Sequence, residues 1–176
     1  MTDPEWQVGD RFVDISTPWF HLIGEHIQAG DRFLDYWRIE KADLLIVLPI
    51  QGDRILLPPP MYRPGLGAET WDFPGGRCPQ GSDRPTVAAE ILRRELGIAR
   101  EAIAQLQPLN SKGWAVNSSF SNQVLYSFVA HLQEGTAPQI GKSYEISRAG
   151  ISVLLAELSC LQCRAVLLDW WCSQSV

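Results

Sequence analysis

Several things are scarce in this chain, and each shortage removes a class of protein. No apolar run approaches the roughly 20 residues a helix needs to span a bilayer, so no membrane-spanning helix and no membrane partner are expected. The opening residues, MTDPEWQVGD, lack the basic start and apolar stretch of a signal peptide, and a cytoplasmic location is the expectation. Clusters of lysine and arginine are missing as well. Arg93–Arg94 stands as a lone pair, and the net charge of −5 argues against nucleic acid as a partner, since phosphate-binding footprints are usually basic.

Cysteine is limited to Cys78, Cys160, Cys163 and Cys172. In a reducing compartment these read as free thiols rather than a disulfide framework. Cys160-Leu-Gln-Cys163 has C-x-x-C spacing, so zinc and redox roles both need weighing. Zinc would want four ligands, and no second pair of this kind exists. A redox pair would sit at a strand-to-helix junction, whereas this one falls inside what reads as the last helix. The reading is therefore structural cysteines.

What the chain does contain is ordinary for a globular protein: 176 residues, 45% apolar and 20% charged. That length suits one domain with a sizeable core. Residues 1–18 read as mixed and loosely structured. Trp19 to Gln28 and Phe33 to Ile39 read as two strands, with Ala29-Gly30-Asp31 as the hairpin turn. Leu44 to Leu48 is a continuous apolar run, as a buried strand would be. Gln51-Gly52-Asp53 turns it into a partner strand, Arg54 to Leu57, which the Pro58–Pro60 run ends because proline lacks the ladder donor.

Pro74-Gly75-Gly76 opens a stretch read as a loop to Ser82. Asp83 is a candidate N-cap, Pro85 is tolerable in the first turn, and Gly97 ends a helix running to about Leu96. Val124 to Leu132 is another strand, and Ala149 to Leu158 and Leu161 to Trp171 hold helical apolar spacing. Strands mixed with two or three helices imply a layered α/β domain.

From Gly76 the spacing becomes specific. Laid without a gap on Gly76 to Ile98, the chain resembles the Nudix box, G-x5-E-x7-R-E-U-x-E-E-x-G-U, where U is a bulky aliphatic residue. The flanks agree. Met61-Tyr62-Arg63 followed by Trp71-Asp72-Phe73-Pro74-Gly75-Gly76 resembles the QYR…WELPAG stretch of the ADP-ribose and nucleotide-sugar pyrophosphatase subgroup. Phe120 to Leu125 and Phe128-Val129-Ala130 resemble that subgroup's loop and strand after the box, and Tyr144-Glu145-Ile146 its late E-x-I element.

The resemblance implies an αβα sandwich with a mixed sheet (the Nudix fold) plus an N-terminal β-hairpin extension. It makes residues 1–176 one domain, with about 1–40 as extension and 41–176 as core. It implies a homodimer formed partly through that hairpin, and a nucleotide or nucleotide-sugar ligand. In active members, box carboxylates bind Mg²⁺, which neutralises a diphosphate and activates water.

The acids are where the chain departs from the box. Ser82 replaces the first box Glu, Glu90 the Arg, Ile91 its neighbouring Glu and Arg94 the next; Glu95 alone survives. Gln123 stands where the subgroup usually has a further Glu. Four of five expected carboxylates are gone, and one has become a cation. Glu95 is the remaining catalytic candidate, and Glu95, the carbonyl of Gly75 and Asp72 are the metal candidates, with Glu69 beside them. Cofactor readings divide between Mg²⁺ and no metal at all.

Glu90 and Arg94, at i and i+4 with the acid first, read as a reversed version of the family's helical pair. On the substrate side, Arg63 is the phosphate-binding candidate, and Trp71 and Phe120 could stack on a ring. Three functions stay open: a hydrolase with weak or re-routed metal chemistry, a non-catalytic nucleotide or nucleotide-sugar sensor, and a dimeric scaffold with an empty cleft.

Overall fold

A computed structural model describes residues 6–174 of the chain. These divide into two compact units, the first holding residues up to Ala42 together with Ala115–Val124, the second Asp43–Trp114 and Leu125 onward.

The first unit is a three-stranded antiparallel sheet in the order β1-β2-β3, where β1 is Trp6–Ser16, β2 His21–Ala29 and β3 Arg32–Glu40. The expected hairpin is β2–β3, with Gly30 supplying the positive φ its turn requires. The stretch expected to be loose is instead β1, which pairs along β2 from Trp6↔Ala29 to Ser16↔His21 with two register shifts. Those shifts hide the period-2 pattern that would have announced it. Phe12 lies over Gly24, so that a Cβ there would meet its ring at 2.6 Å, and the same ring stands edge-on to Trp37. Glu25 is buried on the other face and accepts two hydrogen bonds from Arg38, at 2.6 and 3.2 Å. Residues 115–124 fold back onto the end of β3 through Ile39 N–H to the Phe120 carbonyl at 2.8 Å.

The second unit is built on β4, Asp43–Gln51. One edge of β4 carries β10, Val124–Leu132, in parallel. The other carries two antiparallel strands, β8 (Gly75–Cys78) at its start and β5 (Arg54–Leu57) at its end. The full order is β11-β5-β4-β10-β9, with β9 Ile103–Ala115 and β11 Lys142–Glu145. A small ribbon, β6 (Met61–Arg63) and β7 (Ala68–Thr70), stands apart. The glycine stretch read as a loop thus opens as a strand. Its ladder partner is β4, about thirty residues upstream, and local composition carries no trace of that pairing.

Three helices complete the unit: α1, Arg84–Leu96; α2, Arg148–Glu157; and α3, Leu161–Ser173. Asp83 caps α1 by accepting from Thr86 N–H, Pro85 sits in its first turn, and Gly97 ends it in the left-handed conformation. Ala88, Ile91, Leu92 and Leu96 of α1 pack with Leu45 and Val47 of β4 and Phe128 and Ala130 of β10. On β4's alternate side Ile46, Leu48 and Ile50 are buried too, and α3 also packs against this strand. Burial on both faces is why β4 reads as an unbroken apolar run. The expected α/β class with a mixed sheet is the observed one. Among the described residues, no helix is long and apolar enough to cross a membrane.

Candidate functional site

The ribbon β6–β7, the segment leading into β8 and the end of α1 enclose a cleft of about 360 Å³ lined by Arg63, Asp72, Phe73, Arg94 and Glu95 beside the Pro58–Pro60 run. Arg63 reaches the cleft from the last position of β6. Its Nε and Nη2 donate to Asp72 Oδ2 at 2.9 and 2.6 Å, and Thr70 Oγ1 donates to the same oxygen at 2.9 Å. Asp72 Oδ1 is buried and has no hydrogen-bond partner.

The surviving acid sits at the other side of this constellation. Glu95 Oε2 accepts from Gly75 N–H at 3.2 Å, and Oε1 accepts from Arg94 Nη2 at 2.6 Å. The same Nη2 donates to the Gly75 carbonyl at 2.9 Å. The expected Glu90–Arg94 pair is not formed; Arg94 swings across the glycine strand instead. The strand lets it do so because Gly76 has no Cβ, which would lie 3.0 Å from Nη2. Arg94 uses one nitrogen for both contacts and is still more than half exposed.

Mg²⁺ needs near-octahedral oxygen coordination and usually takes carboxylates. The two oxygens that would begin such a set, the Gly75 carbonyl and Glu95 Oε1, already share the Arg94 guanidinium. A cation added between them would meet a fixed positive charge at contact distance. The residues present do not fit Mg²⁺, and no hydrolytic step can be derived through it.

The other candidates fall in varied places. Trp71 is half-buried, with Lys142 Nζ 4.5 Å from its ring centroid and Gly141 packed so closely that a Cβ would meet the ring at 2.7 Å. Lys142 in turn pairs with Glu157 at 2.5 Å. Phe120 belongs to the first unit and is 42% exposed. Glu69 is exposed on β7, and Glu145 is exposed beside α2, its carbonyl packed against Gly150. Ser82 lines a second cavity of about 430 Å³ with Asp83 and Arg84, the latter over the Tyr126 ring at 3.5 Å. Ile91 is buried in the core. Gln123 is buried and donates to the Ala42 carbonyl at 2.8 Å.

Sequence reasoning missed one assembly. Cys160 is not inside α3 but is its N-cap residue, and Cys163 lies in the first turn, buried, with its Sγ accepting from Phe73 N–H at 3.4 Å. All four cysteines are free thiols. Cys160 Sγ donates to Gln162 Oε1 at 3.2 Å; the neighbouring Cys163 thiol is the largest influence lowering the Cys160 pKa, to about 6, and the N–H groups of Cys163 and Gln162 add to it without closing a capping bond. Cys163 is pushed in the opposite direction by Cys160 and by burial. The C-x-x-C spacing was the only signal in the sequence; the helix start at Leu161 was also expected, and it puts Cys160 at the cap rather than inside the helix.

No protein-family model matches the chain, and no curated protein matches it in sequence. A solved structure described as the crystal structure of ADP compounds hydrolase is similar in fold. It is 15% identical with a TM-score of 0.75, over 99% of this chain and 98% of the other. At that identity the likeness concerns the fold, and function has to be argued from the site.

Proposed function

We propose that this is a Nudix-like protein whose cleft binds a nucleotide-type anion, such as ADP-ribose or a nucleotide sugar, with Mg²⁺-dependent diphosphate hydrolysis weak or lost. The observation that carries the reading is the Arg94 guanidinium between the Gly75 carbonyl and the Glu95 carboxylate. It supplies one fixed positive charge where a hydrolase would hold exchangeable metal. A guanidinium can bind phosphate through planar paired donors, but it cannot lower the pKa of a water as a metal does. Arg63, 44% exposed, is a second cation lining the same cleft.

The test is calorimetric titration with ADP-ribose and nucleotide sugars, with Mg²⁺ and then with chelator, alongside product assays. The expected result is binding that survives chelation and falls at least about tenfold in Arg94→Ala, since hydrogen bonds to charged groups contribute about 1.5–3 kcal/mol. Mg²⁺-dependent turnover at ordinary enzyme rates, about 1–1,000 per second, would overturn it.

The scaffold reading draws support from one feature of the first unit. Phe12, Phe33 and Trp37 share the Gly24 face of its sheet at 40, 76 and 45% exposure. An aromatic face of this kind suits self-association, and we propose a homodimer through it.

A further inference from the structure

The C-x-x-C pair gains a third partner in space. A carboxylate oxygen of Asp72 and the Sγ atoms of Cys160 and Cys163 all lie within 4.8 Å of one another. Two independent features of this cluster point to a cation. Asp72 Oδ1 is a buried acceptor with no donor, and burying an acceptor unsatisfied is unfavourable unless something completes it. The two sulfurs stand at the opening turn of α3, and at Cys160, the N-cap position, the positive end of the helix favours the thiolate.

We propose that Asp72, Cys160 and Cys163 form a binding site for a thiophilic divalent cation, Zn²⁺ above all, with water in the fourth coordination position. Two thiolates and one carboxylate are a zinc donor set and a poor one for Mg²⁺, which prefers oxygen. A tetrahedral ion with Zn–S bonds of about 2.3 Å and Zn–O bonds of about 2.1 Å needs its donors roughly 3.5–3.8 Å apart. Donors no more than 4.8 Å apart reach that spacing by small side-chain adjustments.

Charge supports the same occupant. The carboxylate and two thiolates together carry −3. Zn²⁺ and the Arg63 guanidinium on Asp72 Oδ2 return +3, so the buried cluster becomes neutral. Without the ion both cysteines are free thiols. Binding therefore releases protons, as zinc–thiolate sites do. The ion would tie the segment carrying Asp72 and Phe73, both in the cleft wall, to the start of α3. That junction already has a backbone bridge between Trp71 and Leu158 and the Phe73 N–H to Cys163 contact. The site does not depend on which anion the cleft takes.

Titrating the reduced, chelator-treated full chain with Co²⁺ tests this by spectroscopy. One Co²⁺ per chain should bind with thiolate charge-transfer bands and the visible bands of a tetrahedral ion, and Zn²⁺ should displace it. Asp72→Asn, which keeps the side chain's shape, and Cys160→Ser should each weaken binding at least about tenfold, with the charge-transfer intensity roughly halved in Cys160→Ser. Cys172→Ser, at an exposed thiol elsewhere on α3, should change nothing. Zn²⁺ should also raise the melting temperature of the unmodified chain but not of Cys160→Ser. Absence of charge-transfer bands at excess metal overturns the proposal, as does unchanged affinity in both ligand variants. Formation of a Cys160–Cys163 disulfide as fast with Zn²⁺ as without it would also overturn it and leave a redox pair in its place.

Discussion

Arg94 carries more of the functional argument than any other residue. Its Nη2 holds a carbonyl and a carboxylate that a metal would otherwise share. Replacing it with Glu should remove the internal cation and set two acids beside the Gly75 carbonyl. Arg94→Glu is therefore expected to gain Mg²⁺-dependent thermal stabilisation that the unmodified chain lacks, measured by melting with and without Mg²⁺. Placing an acid at Ile91 is a different matter, because that side chain is 1% exposed and a carboxylate there would be buried without a partner. Gly150 shows the same dependence on a single atom. A Cβ there would fall 2.2 Å from the Glu145 carbonyl oxygen, so Gly150→Ala should destabilise by about 1–3 kcal/mol, read from denaturant midpoints. That a glycine stands at Gly76 is legible from the motif; that a Cβ there would crowd Arg94 Nη2 is not.

At the level of elements, α1 separates faces by energy. Leu92 is fully buried against β4 and β10, and Leu92→Ala should cost about 2–5 kcal/mol. Glu90 is exposed, and Glu90→Ala should change stability by less than about 0.5 kcal/mol, because the pairing with Arg94 that its spacing suggests is not made. The helix ends were readable because Asp83 and Gly97 act through their own backbone neighbourhood. β1 and β8 were not, since their ladders are made with distant strands and one is bulged. The sheet of the first unit has its own pH response. Hydrogen bonding from Arg38 holds Glu25 below the usual carboxylate range. A depressed folded pKa stabilises above the unfolded value and loses that contribution as pH falls through the folded one. Melting temperature should therefore drop on acidification below about pH 4, near the ordinary Glu pKa. Glu25→Gln should be less stable at neutral pH and show a shallower drop in that window.

For the whole molecule, the measurable question is assembly. If the sheet face bearing Phe12, Phe33 and Trp37 pairs two copies, light scattering coupled to size exclusion should give a dimer mass. Phe33→Glu with Trp37→Glu should give a monomer that keeps its far-ultraviolet circular dichroism. A monomeric mass for the unmodified chain at micromolar concentration would count against that pairing. The α/β layering, the central buried strand and the capped helix after the glycines were present in the sequence. They rest on periodicity, capping and turn chemistry, which act over a few residues. That Ser82, Ile91, Arg94 and Gln123 stand where the motif the chain resembles has acids was equally plain, since it needed only a comparison of residue types. Tertiary structure alone decided that Arg94 turns away from Glu90 to bridge Gly75 and Glu95, and that Asp72 meets Cys160 and Cys163. Those groups come from segments far apart in the chain, and only the packing of β8 on β4 and of α3 beside Phe73 sets the distances between them.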